Sequence, residues 1–143
     1  MALSDYSCDL RSKLLGRIHE NDIRELCHMI QCCENHSLTE QLYKLMFDAD
    51  KRVSDNAAWL FTHLDAARRQ WLYPKCDELM QEAMHTSSET KCRLLLTLLA
   101  AQPFREEYLR TDFLDFCMNR MISSGSPAGI RALCMKLSYL QCK

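Results

Sequence analysis

Glycine and proline are scarce in this chain, with three of each among 143 residues. The residues that dominate instead are Leu, Met, Ala, Arg, Lys and Glu, and this balance favours helix over strand. A long apolar run is also missing, since a membrane span needs about 18 such residues. The N-terminal stretch lacks the apolar core of a signal peptide. We therefore expect an all-α protein that works in the cytoplasm and has no membrane partner.

An excess of one charge sign is missing too. The chain has 18 Lys and Arg residues against 19 Asp and Glu residues, for a net charge of −1. Proteins that bind nucleic acid or an anionic membrane usually carry a basic excess. The balance makes nucleic acid a less favoured partner than protein, although it does not exclude a local basic patch.

Recognisable catalytic motifs are also absent from the sequence. It contains no Gly-rich phosphate loop, no HExxH, no GxSxG and no CxxC. A nucleophilic cysteine needs a histidine near it in space, and no Cys–His spacing in this chain matches a family signature. We expect no enzymatic activity, no catalytic residue and no cofactor.

Cysteine, by contrast, is abundant, with nine residues in the chain. Three of them lie with two histidines in "CHMIQCCENH" at 27–36. If this stretch is helical, Cys27 and Cys33 join the apolar stripe, whereas His28 and Cys32 lie on the opposite side. We predict core packing for the first pair and exposure for the second.

A metal site in this stretch is the alternative. His28, Cys32 and His36 share one helical stripe, but its ends are about 12 Å apart. Zinc ligands lie only about 2.0–2.3 Å from the metal, so a straight helix cannot bring all three to one ion. His36 could still fold back towards Cys32 if the helix ended near Glu34. We predict no metal ligand.

The apolar spacing predicts eight helices and no strand. The first spans residues 5–19, and Asn21 caps the second. Ser37 and Glu40 form a predicted capping box, and Pro74 marks another helix start. Three further N-caps are predicted at Asp50, Ser88 and Ser126.

A shift of 38 positions places these three caps in register, together with apolar positions such as Phe61, Leu99 and Leu137. Caps and apolar positions that agree together predict tandem helical hairpins. We assign them to 37–73, 74–110 and 111–143, after an atypical helix pair at 1–36, within a single domain at 1–143.

The stretch "DKRVSDNAAWLFTHL" at 50–64 resembles the second helix of a HEAT repeat, in which a Val precedes small and then apolar residues. From Ser37 to Lys143 the chain resembles the HEAT/armadillo class and is similar to small bacterial HEAT-like proteins. The later copies have Lys91 and Gly129 in place of the Val. The resemblance implies a right-handed α-α superhelix of about four helical hairpins; a plain helical bundle is the alternative.

The resemblance also implies that the second helix of each hairpin lines a groove that binds partners. The groove-facing positions expected to bind a partner are Asp55, Trp59, Arg93 and Arg131. The arginines could bind carboxylates or phosphates, with Trp59 as an aromatic anchor. The alternative is an Asp55–Arg93 ladder between repeats, with Trp59 packed under a neighbour.

We therefore expect a non-catalytic scaffold that binds a protein or peptide partner. The C-terminal helix is apolar on a wide face, whereas a solenoid normally ends in a cap with a polar face. Either a second copy of the protein covers this helix in a homodimer, or the helix packs inward and serves as its own cap.

The alternative function is nucleic-acid binding: "ARRQWLYPK" at 67–75 mixes basic and aromatic residues, and HEAT-like folds include DNA-alkylation repair glycosylases. The same stretch can instead be a solvated connection that Trp71 and Leu72 attach to the core. Arginines that converge on one face would favour nucleic-acid binding, and interspersed acidic residues would favour the scaffold; the arginines concerned are Arg17, Arg24, Arg68, Arg69, Arg93 and Arg131.

Overall fold

The computed structural model describes residues 10–32, 36–103 and 110–142. Within these ranges the chain contains helices and turns and no strand, which confirms the predicted all-α class. None of these helices has the length and apolar content that crossing a membrane requires. Residues 10–14 form α1, and the other helices are α2 (Glu20–Gln31), α3 (Ser37–Leu45), α4 (Lys51–Thr62), α5 (Ala66–Leu72), a 3-10 turn (Tyr73–Lys75), α6 (Cys76–His85), α7 (Glu89–Ala100), α8 (Thr111–Ile122) and α9 (Ala128–Cys142).

The chain forms two compact units, Met1–Arg68 and Arg69–Lys143. The boundary between them lies within α5. The predicted single domain and its repeat boundaries remain predictions.

In the first unit, α4 packs against α3 and α2. The pattern of α4 explains this contact, because its apolar residues recur at helical spacing and turn one face inward. The carboxylate of Asp50 caps α4 by accepting hydrogen bonds from the backbone N–H groups of Arg52 and Val53, at 2.9 and 3.1 Å. The fully buried side chains of this unit include Leu10, Leu14, Ile30, Leu42, Met46, Val53, Leu60 and Phe61.

Helix α1 ends at Leu14, so the prediction that it continues to His19 is wrong. The amide nitrogen of Asn56 on α4 donates to the carbonyls of Leu14 and Gly16, at 2.8 and 3.2 Å. These two carbonyls are therefore satisfied by α4 instead of by a further turn of helix. The beginning of the predicted helix, residues 5–9, lies outside the described residues.

Two predicted helix starts in this unit are also wrong. Helix α2 begins at Glu20, because the carboxylate of Asp22 accepts the backbone N–H of His19 at 3.0 Å and so fixes His19 as the N-cap in place of Asn21. Helix α3 is N-capped by His36, whose φ of 57° is left-handed. Ser37 is therefore already helical, so it is not the N-cap that the predicted capping box requires.

In the second unit, α7 packs against α6 and α9, and α8 packs against α9. Ser88 caps α7 as predicted, because its hydroxyl accepts the Lys91 N–H at 3.1 Å. Helix α9 begins only at Ala128, so Ser126 is not its N-cap; the Ser126 N–H bonds the Ser123 carbonyl in a turn, at 3.2 Å. Helix α5 was not predicted, and Pro74 lies in the 3-10 turn before α6.

The second helices of the three hairpins agree at one position of the repeat register. Phe61, Leu99 and Leu137 are all fully buried. The register fails for the first helix of the last hairpin, where Met118 is 47% exposed although Leu42 and Met80 are buried.

Candidate partner-binding site

One face of α4 is left for the surface once its apolar face is buried. Arg52, Asn56 and Trp59 share this face, because residues four and then three positions apart lie above one another on a helix. Asp55 lies beside them and is half-buried, as is Trp59. The predicted pair Asp55 and Trp59 therefore belongs to one surface stripe of the first unit.

A concave pocket of about 410 Å³ opens over this stripe. Its other wall is the connection between α1 and α2, which Asn56 holds in place through the carbonyls of Leu14 and Gly16. The pocket is lined by Gly16, Arg17, Ile18, Arg52, Asn56 and Trp59. Trp59 is thus the predicted site residue that the structure places in a pocket.

Among the described residues, the lining of this pocket carries two guanidinium groups and no carboxylate. The side chains of Arg17 and Arg52 are exposed, and neither pairs with another residue in the part of the chain that the structure describes. The pocket is therefore locally basic although the whole chain is nearly neutral.

Four other cations of the first unit are paired with carboxylates. The guanidinium of Arg11 donates to both carboxylate oxygens of Asp48, at 2.9 and 3.2 Å. This hydrogen bond lowers the pKa of Asp48 and raises the pKa of Arg11. The remaining pairs are Arg24 with Glu20, Lys44 with Glu40, and Arg68 with Asp65.

The indole of Trp59 contacts the ring of His63 edge to face, with centroids 5.7 Å apart and planes at 76°. His63 follows α4 as its C-cap. This contact fixes one edge of the indole, and the half-buried ring still lines the pocket. Trp59 can therefore offer an apolar surface to a ligand.

Arg93 and Arg131 lie in the second unit and are both exposed. A Cβ atom on Gly129 would lie 3.6 Å from Cδ of Arg93, so the Arg93 stem runs beside α9. The Nε of Arg131 donates to the Met121 carbonyl at 3.1 Å, near the end of α8. This bond stabilises the last turn of α8, as a cation at a helix C-terminus does. A partner-binding role for both arginines remains a prediction.

Sequence reasoning missed Arg52 and Asn56 as site residues. Their spacing from Trp59 could have identified them, since residues 52, 56 and 59 lie on one helical stripe. No sequence spacing could have identified Arg17. It lies in the α1–α2 connection, which the Asn56 hydrogen bonds hold beside α4.

The cysteine-rich stretch divides between core and surface. Cys27 is buried and its thiol donates to the His63 carbonyl at 3.8 Å, whereas His28 and Cys32 are exposed, as predicted. Burial, and to a lesser extent Asp65, raises the pKa of Cys27. Cys33 lies outside the described residues. Within the described ranges no three His, Cys, Asp or Glu side chains are placed to hold a metal ion.

His28 and Cys32 form the one Cys–His contact that this stretch offers among the described residues. The Sγ of Cys32 lies 3.8 Å from Nδ1 and 3.7 Å from Nε2 of His28. Nearly equal distances mean that the thiol is not aligned with either nitrogen. Proton transfer to a base needs about 2.6–3.2 Å, so this geometry does not activate the thiol.

A family model for the HEAT repeat domain matches residues 10–143. The match confirms the resemblance to helical-repeat proteins and extends it to residues 10–36, which the 38-residue register did not include. No curated protein and no solved structure matches the chain.

Proposed function

We propose a function from one premise: the chain belongs to the HEAT repeat domain family. Repeat domains of this class are scaffolds that present extended binding surfaces. We propose that this one is a non-catalytic scaffold that binds a protein or peptide partner. The observation that carries the proposal is the pocket over α4, in which Trp59 lies beside Arg17 and Arg52. Aromatic and arginine side chains are the residues that contribute most to protein interfaces.

The distribution of charge favours protein over nucleic acid as the partner. A nucleic-acid surface needs a continuous basic track that follows the phosphates. Carboxylates pair with five of the ten described arginines, three in the first unit and two in the second, which interrupts any such track. In the second unit these pairs are Arg110 with Asp112 and Arg120 with Glu89, and Lys91 also pairs with Glu82.

The proposal that the protein is no enzyme rests on geometry. The Cys32–His28 distances exceed the reach of proton transfer. The pocket lining holds arginines, an amide and an indole, none of which is a nucleophile or a general base at neutral pH. We also propose a cytoplasmic location, since the buried cysteines Cys27, Cys76, Cys92, Cys117 and Cys134 are free thiols, which a reducing compartment preserves.

A second copy of the chain is the further partner we propose, bound through the last hairpin. Helix α8 exposes Met118 and Ile122, and α9 exposes Met135 and Tyr139, with Ile122 at 73% and Tyr139 at 65%. On each helix the exposed pair lies on one stripe, because its members are four residues apart. Exposed apolar stripes of this kind mark interaction surfaces.

The charges that flank these stripes complement one another. Helix α8 exposes Asp115, whereas α9 exposes Arg131 and Lys136 and has no acidic residue. In a twofold-symmetric dimer the same surface contacts itself, so α8 of one copy can lie against α9 of the other. Asp115 of one copy would then lie near the basic side chains of α9 in the other copy. This attraction favours the pairing of α8 with α9 over the pairing of each helix with its own equivalent.

The proposed function is tested by affinity capture of the tagged protein from its native cells, with and without nuclease. We expect protein partners that survive nuclease treatment and that the Trp59→Ala variant no longer captures. Lys51→Ala, an exposed neighbour outside the pocket, is the matched control and should capture them as the wild type does. Capture that nuclease abolishes would instead establish the nucleic-acid alternative.

A further inference from the structure

The charge and size of the pocket over α4 define the chemistry of its ligand. With a volume of about 410 Å³ it falls near the lower end of the roughly 300–1,000 Å³ typical of ligand pockets. Such a space accepts one or two side chains of a peptide. This inference rests on the proposed function and specifies which peptide the scaffold binds.

The two guanidinium groups favour an anion as the ligand. Arg17 and Arg52 pair with no carboxylate in the described part of the chain, whereas Arg11, Arg24 and Arg68 do. A guanidinium presents N–H groups in a planar fork that fits both oxygens of a carboxylate. Two such groups beside one pocket can hold a single carboxylate from two directions.

The indole of Trp59 adds a second requirement. Trp59 and Ile18 are the apolar side chains among the described lining residues, and the others are polar or glycine. An apolar side chain next to the carboxylate would cover the indole and exclude water from the charged contacts, which strengthens them. The site therefore fits an acidic residue with an apolar neighbour.

The walls of the site are held in place before a ligand arrives. Asn56 ties the α1–α2 connection to α4 through two hydrogen bonds. The ion pair of Arg11 with Asp48 joins α1 to the segment before α4. A prepared site loses less conformational entropy on binding.

We propose that this pocket binds an acidic segment of a partner protein, with an Asp or Glu carboxylate between Arg17 and Arg52 and an apolar side chain on Trp59. A phosphate chain fits less well. The cations Arg11, Arg24 and Lys44 of the same unit are already paired with carboxylates, so they do not extend the pocket into a track for successive phosphates.

The test begins with the labelled full chain on an array of random short peptides. We expect Asp and Glu to be enriched in the peptides that bind. The best acidic peptide is then titrated against the Trp71→Phe variant, in which Trp59 is the remaining tryptophan and reports binding through its fluorescence. Replacement of the acidic residue by its amide should weaken binding roughly tenfold, as loss of a charge-assisted contact does.

Three variants complete the test. Arg17→Ala and Arg52→Ala should each weaken peptide binding roughly tenfold, whereas Lys51→Ala, which removes the same charge from the same turn of α4 outside the pocket, should leave it within about twofold. Bound peptides without Asp or Glu enrichment, or affinities that Arg52→Ala leaves unchanged, would overturn the proposal. Tighter binding of a single-stranded oligonucleotide than of the acidic peptide would overturn it in favour of phosphate.

Failure of this proposal is distinguishable from failure of the proposed function. If the array shows no acidic preference but cellular capture still depends on Trp59, the scaffold function stands and the ligand chemistry is wrong. If capture depends on nucleic acid, both fail.

Discussion

Lys91 and Glu82 form an ion pair between α7 and α6, with Nζ and Oε1 2.7 Å apart. The Lys91 side chain is only 6% exposed and that of Glu82 is 31% exposed. Lys91 occupies the position that Val53 fills in the preceding copy, where the side chain is fully buried. A charged residue has therefore entered a core position, and its carboxylate partner on the neighbouring helix compensates for the lost hydration.

Removal of one partner from this ion pair should be more harmful than replacement of the lysine. We expect Glu82→Ala to lower the free energy of unfolding by about 2 kcal/mol, because the buried Lys91 ammonium loses its ion pair with the Glu82 carboxylate. Lys91→Met should change it by less than about 1 kcal/mol, since an apolar side chain of similar length suits a buried site. Urea unfolding followed by circular dichroism measures both.

Glu40→Ala is the matched control, because Glu40 and Lys44 form an exposed pair within α3. Exposed pairs contribute about 0–1 kcal/mol, so this variant should be nearly neutral. Equal losses for Glu82→Ala and Glu40→Ala would contradict a special role for the Lys91 pair.

The helix caps give a second set of expected stabilities. Asp50→Ala and Ser88→Ala each remove a side chain that accepts the backbone N–H groups of a helix start, at a cost of about 1 kcal/mol. Ser126→Ala should cost less than about 0.5 kcal/mol, because α9 begins beyond the position that this side chain could cap. Thermal unfolding of the three variants measures these stability differences. A large loss of stability for Ser126→Ala would show that Ser126 caps α9, as the sequence predicted.

The thiols predict a dependence on pH. Burial raises the pKa of Cys76 and Cys92 from 9.0 to about 11. Since the pKa values of these thiols are higher in the folded chain than in the unfolded chain, the thiols of the unfolded chain lose their protons first as pH rises. The stability they contribute is therefore fully present below pH 9 and is lost as pH rises through about 11. Unfolding by urea across this range should show the decline, and a Cys76→Ala variant should show less of it.

The cysteines should differ in reactivity according to their burial. Cys32 and Cys142 are exposed, whereas Cys76 and Cys92 are buried. Alkylation of the native protein with iodoacetamide, read by peptide mass spectrometry, should modify the first pair well before the second. Equal rates in native buffer would show that the buried thiols are accessible and would contradict the packing of the second unit.

The proposed dimer predicts a change of mass in solution. Sedimentation equilibrium should give twice the mass of the chain for the wild type at high concentration. Ile122→Glu and Tyr139→Glu should shift the protein to monomer, because each places a charge in the apolar contact. Phe47→Glu, which changes an exposed aromatic residue of the first unit, is the control. A wild type that stays monomeric throughout would contradict the dimer.

The sequence predicted the helices best where a cap and an apolar stripe occur together. Asp50 and Ser88 were correctly identified because each precedes such a stripe. Helix α5 was missed, since seven residues are too few to display a helical period. Ser37 was wrongly predicted as the N-cap of α3, because His36 adopts a left-handed conformation that cannot be predicted from its residue type.

The site could be predicted only in part, for a related reason. Trp59 was identified from its place on α4, which is a local property of the sequence. Arg17 meets it through a connection whose course depends on Asn56, a contact between residues far apart in the chain. Burial of Lys91 was also unforeseen, because it depends on the position of Glu82.

The most direct measurement is photo-crosslinking in native cells with a photoreactive phenylalanine analogue in place of Trp59. The analogue keeps an aromatic ring against His63 and in the pocket. We predict a discrete protein adduct that survives nuclease and is absent when the analogue replaces Lys51. An adduct that nuclease removes, or the same adducts from both positions, would contradict the proposal that this scaffold binds a protein partner over α4.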